Sequence, residues 1–211
     1  MSSNYFIPLA QVRCEYEAQK SRFVATLAPA FSINEARAFI VNIKKEFANA
    51  SHNVPVYIIG GGNTVTEYFS DDGEPAGTAG KPALAALRGS GLGDAVLVIT
   101  RYFGGTLLGT GGLVKAYTES AQLAIKQVKR GRRIAVHVAE ITIPYNLLER
   151  VRLFVIKHGG QIVSEEYTED VRIRLRVRQE AFEAFQAELR ELSAGKIQAS
   201  IVESKEEIVA V

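Results

Sequence analysis

The residue types best suited to binding an anion lie in two glycine-rich segments of this chain. The sequence has 211 residues, and 14 of its 18 glycines fall between Gly60 and Gly112. Glycine concentrates where the backbone needs a positive φ or where a partner must approach the main chain closely. Each segment precedes a stretch with helical periodicity. Main-chain amides in a glycine loop and at a helix N-terminus can together hold a phosphate or a carboxylate.

The second glycine-rich segment combines these amides with two cations. A predicted strand ends at Thr100, and a predicted helix begins near Leu113. Arg101 offers a planar guanidinium that suits phosphate or carboxylate, and Lys115 adds a positive charge in the first turn of the helix. We therefore predict an anion site here. Its main-chain amides are expected from Gly104, Gly105, Gly109, Gly111 and Gly112.

The same segment has a purely structural alternative. In that interpretation the glycines only let the chain turn sharply and pack closely beside Tyr102 and Phe103. These two rings could stack on a nucleobase. Aromatic residues next to a buried strand usually pack inward, however, so we expect both rings in the core.

The first glycine-rich segment contains three carboxylates, on Asp71, Asp72 and Glu74. They could hold Mg²⁺, which favours one or two carboxylates together with phosphate oxygens. They could also stabilise the start of a helix near Thr78, where negative charge is favourable. Acidic turns before helices are common, so we favour the structural role.

Composition excludes several classes of protein. The single cysteine, Cys14, excludes a disulfide framework, and the three histidines lack zinc-type spacing. No stretch has the length and apolarity of a membrane span, so we expect a cytoplasmic protein. No serine or cysteine nucleophile has a neighbouring base, and His52 is interpreted as a structural, hydrogen-bonded histidine. We predict no catalytic residue and no cofactor, and the sequence does not indicate an oligomeric state.

Periodicity predicts a mixed α/β domain over residues 1–133. Ser32 and Glu35 have the spacing of a capping box at the start of the first helix. A turn is expected at residues 61–63 between two strands. The predicted helices cover about 32–47, 78–88 and 113–128, and the predicted strands cover about 22–28, 54–60, 65–69 and 95–100.

Residues 134–211 alternate as βαββαβ, the order of the split-βαβ, ferredoxin-like arrangement. The strand over 171–178 alternates strictly, so its arginines are expected on the open face of the sheet. That face could bind RNA phosphates, or its cations could be paired with acids such as Glu165 or Glu166. The four side chains are Arg172, Arg174, Arg176 and Arg178. The last strand is expected over about 196–203, and no element is predicted for 205–211.

The two glycine-rich segments resemble the motifs of the YigZ/IMPACT family. The matching stretches are DDGEPAGTAGKP at 71–82, RYFGGTLLGTGGLVKAY at 101–117, KSRF at 20–23 and ASHN at 50–53. The resemblance implies an N-terminal domain with the fold of ribosomal protein S-five domain 2, which is also like domain IV of elongation factor G. It implies a C-terminal domain like domain V of that factor, and hence an α+β protein of two domains. Eukaryotic members of the family regulate translation.

These observations predict a non-enzymatic protein that binds RNA or a ribosome-associated partner and modulates translation. Lys20 and Arg22 join Arg101 and Lys115 as expected phosphate contacts, and the arginines of 171–178 form a second basic surface. The alternative is a nucleotide- or phosphate-binding enzyme of the same fold family. It would use the glycine loop together with Asp71 or Asp72 and Mg²⁺. A third possibility is a protein-interaction module without an anion site.

Overall fold

The computed structural model describes residues 5–61 and 64–211. The chain is an α+β protein that divides into two compact units. The first contains residues 5–132 together with Ile208–Val211, and the second contains Arg133–Glu207. Two residues of the predicted turn at 61–63 lie outside the described residues. Within the described residues, no helix is long and apolar enough to cross a membrane.

A five-stranded antiparallel sheet forms the centre of the first unit. Its strands are β2 (Val12–Ala18), β3 (Ser21–Pro29), β4 (His52–Gly61), β5 (Thr64–Phe69) and β6 (Ala95–Tyr102). The strand order is β2-β3-β6-β4-β5, so the second and fifth strands of the chain form the two edges. The central strand of this sheet is the continuous apolar run that the sequence predicts as a buried strand.

Three helices cover the two faces of this sheet: α1 (Ile33–Glu46), α2 (Gly80–Gly89) and α3 (Gly109–Gln127). Helix α1 buries Ala36, Ile40 and Ile43 against one face. Helices α2 and α3 pack on the other face, around Phe23, Leu97 and Ile99. Burial on both faces explains why strand β6 is apolar from Ala95 to Ile99 rather than alternating.

The predicted capping box at the start of α1 is confirmed. The Ser32 hydroxyl accepts a hydrogen bond from the Glu35 amide at 3.1 Å, and a Glu35 carboxylate oxygen accepts one from the Phe31 amide at 2.9 Å. These bonds satisfy donors that the first helical turn leaves without partners. The prediction for α3 is wrong at its start, because the helix begins at Gly109 rather than near Leu113. The sequence also missed β2 and the short strand β1 (Ile7–Pro8).

The second unit has the predicted βαββαβ order. Its strand order is β10-β7-β9-β8, and the pairs of β9 with β7 and with β8 are antiparallel. Both helices pack on one face of the sheet, around Phe154, Ile173 and Phe185. The last strand runs further toward the C-terminus than predicted. The elements are β7 (Arg130–Ile143), α4 (Leu148–Lys157), β8 (Gln161–Tyr167), β9 (Val171–Arg178), α5 (Phe182–Leu192) and β10 (Ser200–Ala210).

Candidate functional site

The turn between β2 and β3 positions the first predicted cation, Lys20. Gln19 and Lys20 both have positive φ, 44° and 65°, as the two central residues of a type I′ hairpin turn require. Gly104 lies directly against this turn: a Cβ on Gly104 would stand 2.1 Å from the Lys20 carbonyl group. The Gly104 amide donates a hydrogen bond to the Ser21 hydroxyl at 3.2 Å. Glycine at 104 is therefore required by a close approach of two backbones.

The first turn of α3 presents main-chain amides to the outside. Gly109, Thr110 and Gly111 are exposed. As the first three residues of the helix they have no intrahelical acceptor, and no side chain caps them. The described part of the chain offers no other acceptor to these amides. Leu107, just before the helix, is 84% exposed. These amides are therefore open to an external anion.

The remaining loop glycines have different roles. Gly105 is exposed and has a φ of 84°, so it serves the turn itself. Gly112 is half-buried behind Leu108 and lies one residue deeper in the helix than the free amides. The exposed helical amides without an acceptor are therefore those of residues 109–111.

Arg101 is placed differently from its prediction as a surface ligand for phosphate. Its side chain is only 7% exposed, and Nη1 lies 2.7 Å from Oε1 of Glu74, whose side chain is 3% exposed. Nη2 lies 3.5 Å from the Ser21 hydroxyl. The guanidinium also lies over the rings of Phe23 and Phe103, 5.5 and 5.6 Å from their centroids. Arg101 thus ties the end of β6 to the core and supports the loop from beneath.

Glu74 is the centre of a buried polar cluster that the sequence did not reveal. Its Oε1 accepts hydrogen bonds from Arg101 and, at 2.7 Å, from the Tyr117 hydroxyl on α3. Burial, together with the negative charge of Glu74, raises the pKa of Tyr117 well above its ordinary value. His52 Nε2 lies 3.9 Å from the same oxygen. The cluster joins the acidic segment, β6 and α3 in one place.

Asp71 and Asp72 are both engaged by the protein, as the structural interpretation of the acidic segment expected. The Asp71 carboxylate accepts from three amides that lead into α2, those of Gly77, Ala79 and Gly80, at 2.8 to 3.1 Å. The Asp72 carboxylate contacts Lys44 Nζ at 2.5 Å and the Asn53 amide at 2.7 Å. His52 Nδ1 donates to the Asp72 carbonyl at 2.8 Å. Among the described residues, no group of three acidic, histidine or cysteine side chains could hold a metal ion.

The other predicted cations of the first unit are exposed but do not share one face. Arg22 lies over the Tyr102 ring at 4.6 Å and 3.7 Å from Glu15. Phe23, the next residue, packs against Tyr117 of α3, so Arg22 belongs to the opposite face of the sheet. Lys115 is exposed on α3 itself. The structure therefore brings Lys20 beside Gly104, places Arg22 over Tyr102 on the opposite face of the sheet, and places Lys115 on the helix side.

Phe103 also differs from its prediction as a core residue. Its ring is 48% exposed beside the loop, and its amide donates to the Ser51 hydroxyl at 3.1 Å. An aromatic ring is therefore accessible at the same end of the domain as Lys20 and the loop.

The arginines of β9 lie on the open face of the second sheet, as their alternation predicted. Most of them meet acids or amides there. Arg172 lies 3.7 Å from Glu166, Arg178 lies 3.7 Å from Glu180, and Arg176 bonds Glu207 and Gln161. Of the four, only Arg174 has no ionic partner in the described part of the chain.

Glu165, the other predicted acidic partner of that face, turns instead toward α4. Arg152 reaches its carboxylate with two nitrogens, at 2.9 and 2.5 Å, and the Tyr167 hydroxyl donates to it at 2.5 Å. The hydrogen bonds from Arg152 and then from Tyr167 lower the pKa of Glu165 to about 2.

Comparison with protein families matches both parts of the chain. Residues 19–125 match the Impact N-terminal domain, and residues 141–196 match a domain of unknown function, DUF1949. The first match contains the loop and the buried cluster. The second contains most of the βαββαβ unit.

Relatives of similar length support these matches. An IMPACT family member from Haemophilus influenzae is 38% identical over 95% of this chain and 98% of its own length. IMPACT family member YigZ from Escherichia coli is 36% identical over 95% of this chain and 98% of its own length. The crystal structure of a hypothetical protein aligns over 96% of this chain and 98% of that chain, with a TM-score of 0.62 and 36% identity. A two-domain translational regulator aligns over 58% of this chain and 46% of that chain, with a TM-score of 0.35 and 21% identity.

Proposed function

The chain belongs to the IMPACT family, and from this premise we propose that it is a cytoplasmic protein that binds RNA or a ribosome-associated partner and modulates translation. The proposed contact is the glycine-loop end of the first unit. We define this end as Lys20, Arg22, Phe103, residues 104–111 and Lys115. It acts by binding, through main-chain donors, three cations and one accessible ring.

The observation that carries this proposal is the set of free amides at the start of α3. Gly109, Thr110 and Gly111 are exposed and have no acceptor within the described chain. The positive end of the helix dipole adds to their attraction for negative charge. A phosphate is the common anion with enough acceptor oxygens to use several amides at once.

The neighbouring cations favour a polyanion rather than a single small anion. Lys20 and Arg22 lie at the β2–β3 turn that contacts Gly104, while Lys115 follows the first turn of α3. Cations that are separated in this way can meet successive phosphates of one strand. Binding would release counterions, so its affinity would fall steeply with salt.

A charge substitution inside the first turn of α3 tests the amide site directly. Thr110→Glu places a carboxylate where the phosphate is expected, and it favours the helix because negative charge is stabilising there. Gln122→Glu adds the same charge to an exposed position of the same helix. In filter binding with purified ribosomes and a structured RNA, we expect Thr110→Glu to weaken binding by about tenfold, the result of losing one charge-assisted contact. Gln122→Glu should leave it within about twofold.

Two lysines of α3 form a second matched pair. Lys115→Gln removes an expected phosphate contact, and Lys126→Gln removes an exposed lysine near the other end of the helix. Loss of one phosphate contact should reduce the slope of log affinity against log salt by about 0.9. We expect that reduction for Lys115→Gln only. The proposal is wrong if neither RNA nor ribosomes are retained at low salt. It is also wrong if, in both pairs, the test variant and its control bind equally well.

The second basic surface depends mainly on Arg174, since the other three arginines of β9 have acidic partners. Arg174→Gln should therefore weaken RNA binding more than Arg172→Gln. Arg190→Gln, at an exposed position of α5, controls for the loss of one charge from the same unit. Equal behaviour of all three variants would remove this surface from the proposal and leave the glycine-loop end unaffected.

A further inference from the structure

We propose that the groove between α1 and β5 is a binding site for a nucleotide, which it would hold by its base and its phosphate. We call it the tyrosine groove. It is bounded by Arg37, Val41 and Lys44 of α1 and by Tyr57 and Tyr68 of the sheet. It encloses about 320 Å³, which is at the small end of the range for ligand sites. The proposal goes beyond the glycine-loop end, because β5 is the opposite edge of the sheet from the β2–β3 turn.

The groove exists because α1 does not extend over the edge strand. Helix α1 covers Tyr57, Val96 and Val98 on the central strands. Strand β5 lies beyond them and is exposed along its whole length. Between the helix and this strand remains a cleft with apolar walls, which include the half-exposed Val41. A flat apolar group would bury surface there.

Two parallel tyrosine rings form one wall of the groove. Tyr57 and Tyr68 are directly opposite each other in the β4–β5 register. Their ring centroids are 5.1 Å apart and their planes differ by 18°, so the rings are stacked. Tyr57 is buried, whereas Tyr68 is 43% exposed. Tyr68 is thus held flat by its neighbour and can offer its accessible surface to a further aromatic ring.

The groove has one uncompensated positive charge, on Arg37. This side chain is exposed and has no ionic partner in the described chain, whereas Lys44 is paired with Asp72. Lys44 donates one of its three hydrogens to Asp72, which leaves two for a ligand. The Ser70 hydroxyl accepts from the Asp72 amide at 3.1 Å, so its own hydrogen remains available. An anionic group therefore finds donors beside the apolar wall.

A nucleotide matches this combination of a stacking wall and adjacent cations. Its base is a flat aromatic ring, and its phosphate is an anion within one sugar's length of that ring. Stacking on an aromatic side chain tolerates every base, so we expect little base preference. A free mononucleotide and one nucleotide of a single strand offer the same chemistry. Mononucleotide and oligonucleotide probes separate these two sources.

The first experiment uses the unmodified protein. Amide chemical shifts of the ¹⁵N-labelled chain are followed during titration with AMP, with UMP and with a single-stranded hexauridylate. We expect the largest changes at Arg37, Lys44 and Tyr68. Changes with mononucleotides indicate that a free nucleotide suffices, whereas changes with the hexamer alone assign the groove to a single strand. Absence of changes in the groove with all three probes at millimolar concentration overturns the proposal.

Variants then test the two halves of the site by fluorescence anisotropy of a labelled hexauridylate. Tyr68→Ala should weaken binding by about tenfold, the usual loss for one stacked base, while Tyr68→Phe should keep it. Arg37→Gln should weaken binding by about fivefold, and Arg190→Gln should not. Circular dichroism confirms that each variant is folded.

Equal affinity of wild type and Tyr68→Ala for the hexauridylate would refute the site even if RNA binds elsewhere. Thr110→Glu should leave the chemical-shift changes at Arg37, Lys44 and Tyr68 in place, so failure of the glycine-loop end and failure of the tyrosine groove are distinguishable.

Discussion

Replacing Glu74 by glutamine removes one charge from the buried cluster without changing the size of the side chain. In the wild type its carboxylate meets the Arg101 guanidinium at 2.7 Å, and both side chains are almost completely buried. Breaking a buried ion pair by removing one partner destabilises a protein by about 3 to 5 kcal/mol, because the remaining charge loses its compensation. The carboxamide oxygen can still accept the hydrogen bonds of Tyr117 and Arg101, so we expect the lower end of this range, about 3 kcal/mol.

The effect is measured as the free energy of opening of the first unit. The chain contains no tryptophan, so hydrogen exchange of peptides from β3 and β6 is preferable to intrinsic fluorescence and reports this unit alone. Glu67→Gln is the matched control. Glu67 is likewise paired with an arginine, Arg88, through two hydrogen bonds. The Glu67 side chain is 28% exposed, however, and that of Arg88 is 60% exposed. An exposed pair contributes about 0 to 1 kcal/mol, so the control should be nearly neutral.

The double variant Glu74→Gln/Arg101→Met completes the test. If the loss comes from an uncompensated buried charge, removing that charge as well should recover about 2 kcal/mol relative to the sum of the single variants. Equal losses for Glu74→Gln and Glu67→Gln, or strictly additive effects in the double variant, would refute the claim that burial makes this pair important.

Two further predictions concern close packing and pH. Gly104→Ala should destabilise the first unit by about 2 kcal/mol or more, because the new methyl group would overlap the Lys20 backbone. Chemical denaturation followed by far-ultraviolet circular dichroism measures this loss. Glu165, whose pKa is held at about 2 by Arg152 and Tyr167, contributes stability that is complete above its ordinary pKa of 4.5 and is lost as pH falls toward 2. Acid unfolding of the second unit should therefore be less steep in Glu165→Gln between these two pH values, and an unchanged profile would contradict the assignment.

The sequence predicted the elements whose signals are local. The Ser32 cap identifies the start of α1 within one residue, and the strict alternation of 171–178 gives both the limits and the exposed face of β9. The start of α3 was wrong because glycine is a poor helix former. Burial of Leu113 and the residues that follow it stabilises the helix from Gly109 onward. The second half of strand β10 was missed because its charged residues resemble a solvated tail until their partners on distant strands are known.

The candidate site was predictable in part. The exposed amides lie within the segment that glycine content singled out. The position of Arg101 was not predictable, since nothing in the sequence says that its carboxylate partner is Glu74, 27 residues away. The tyrosine groove was missed for the same reason, because Tyr57 and Tyr68 meet only through the pairing of β4 with β5.

The three glycines in the first four positions of α3 have a consequence for the lifetime of any complex formed there. Gly111 and Gly112 are each less favourable in a helix than alanine by about 1 kcal/mol, and Gly109 has a φ of 72°, outside the helical region, so this turn frays before the rest of α3. An anion that binds its amides must first bring the turn to order, and part of the interaction energy is consumed in doing so. Contacts through this end should therefore have short residence times, as suits a protein that visits many places along a large polyanion.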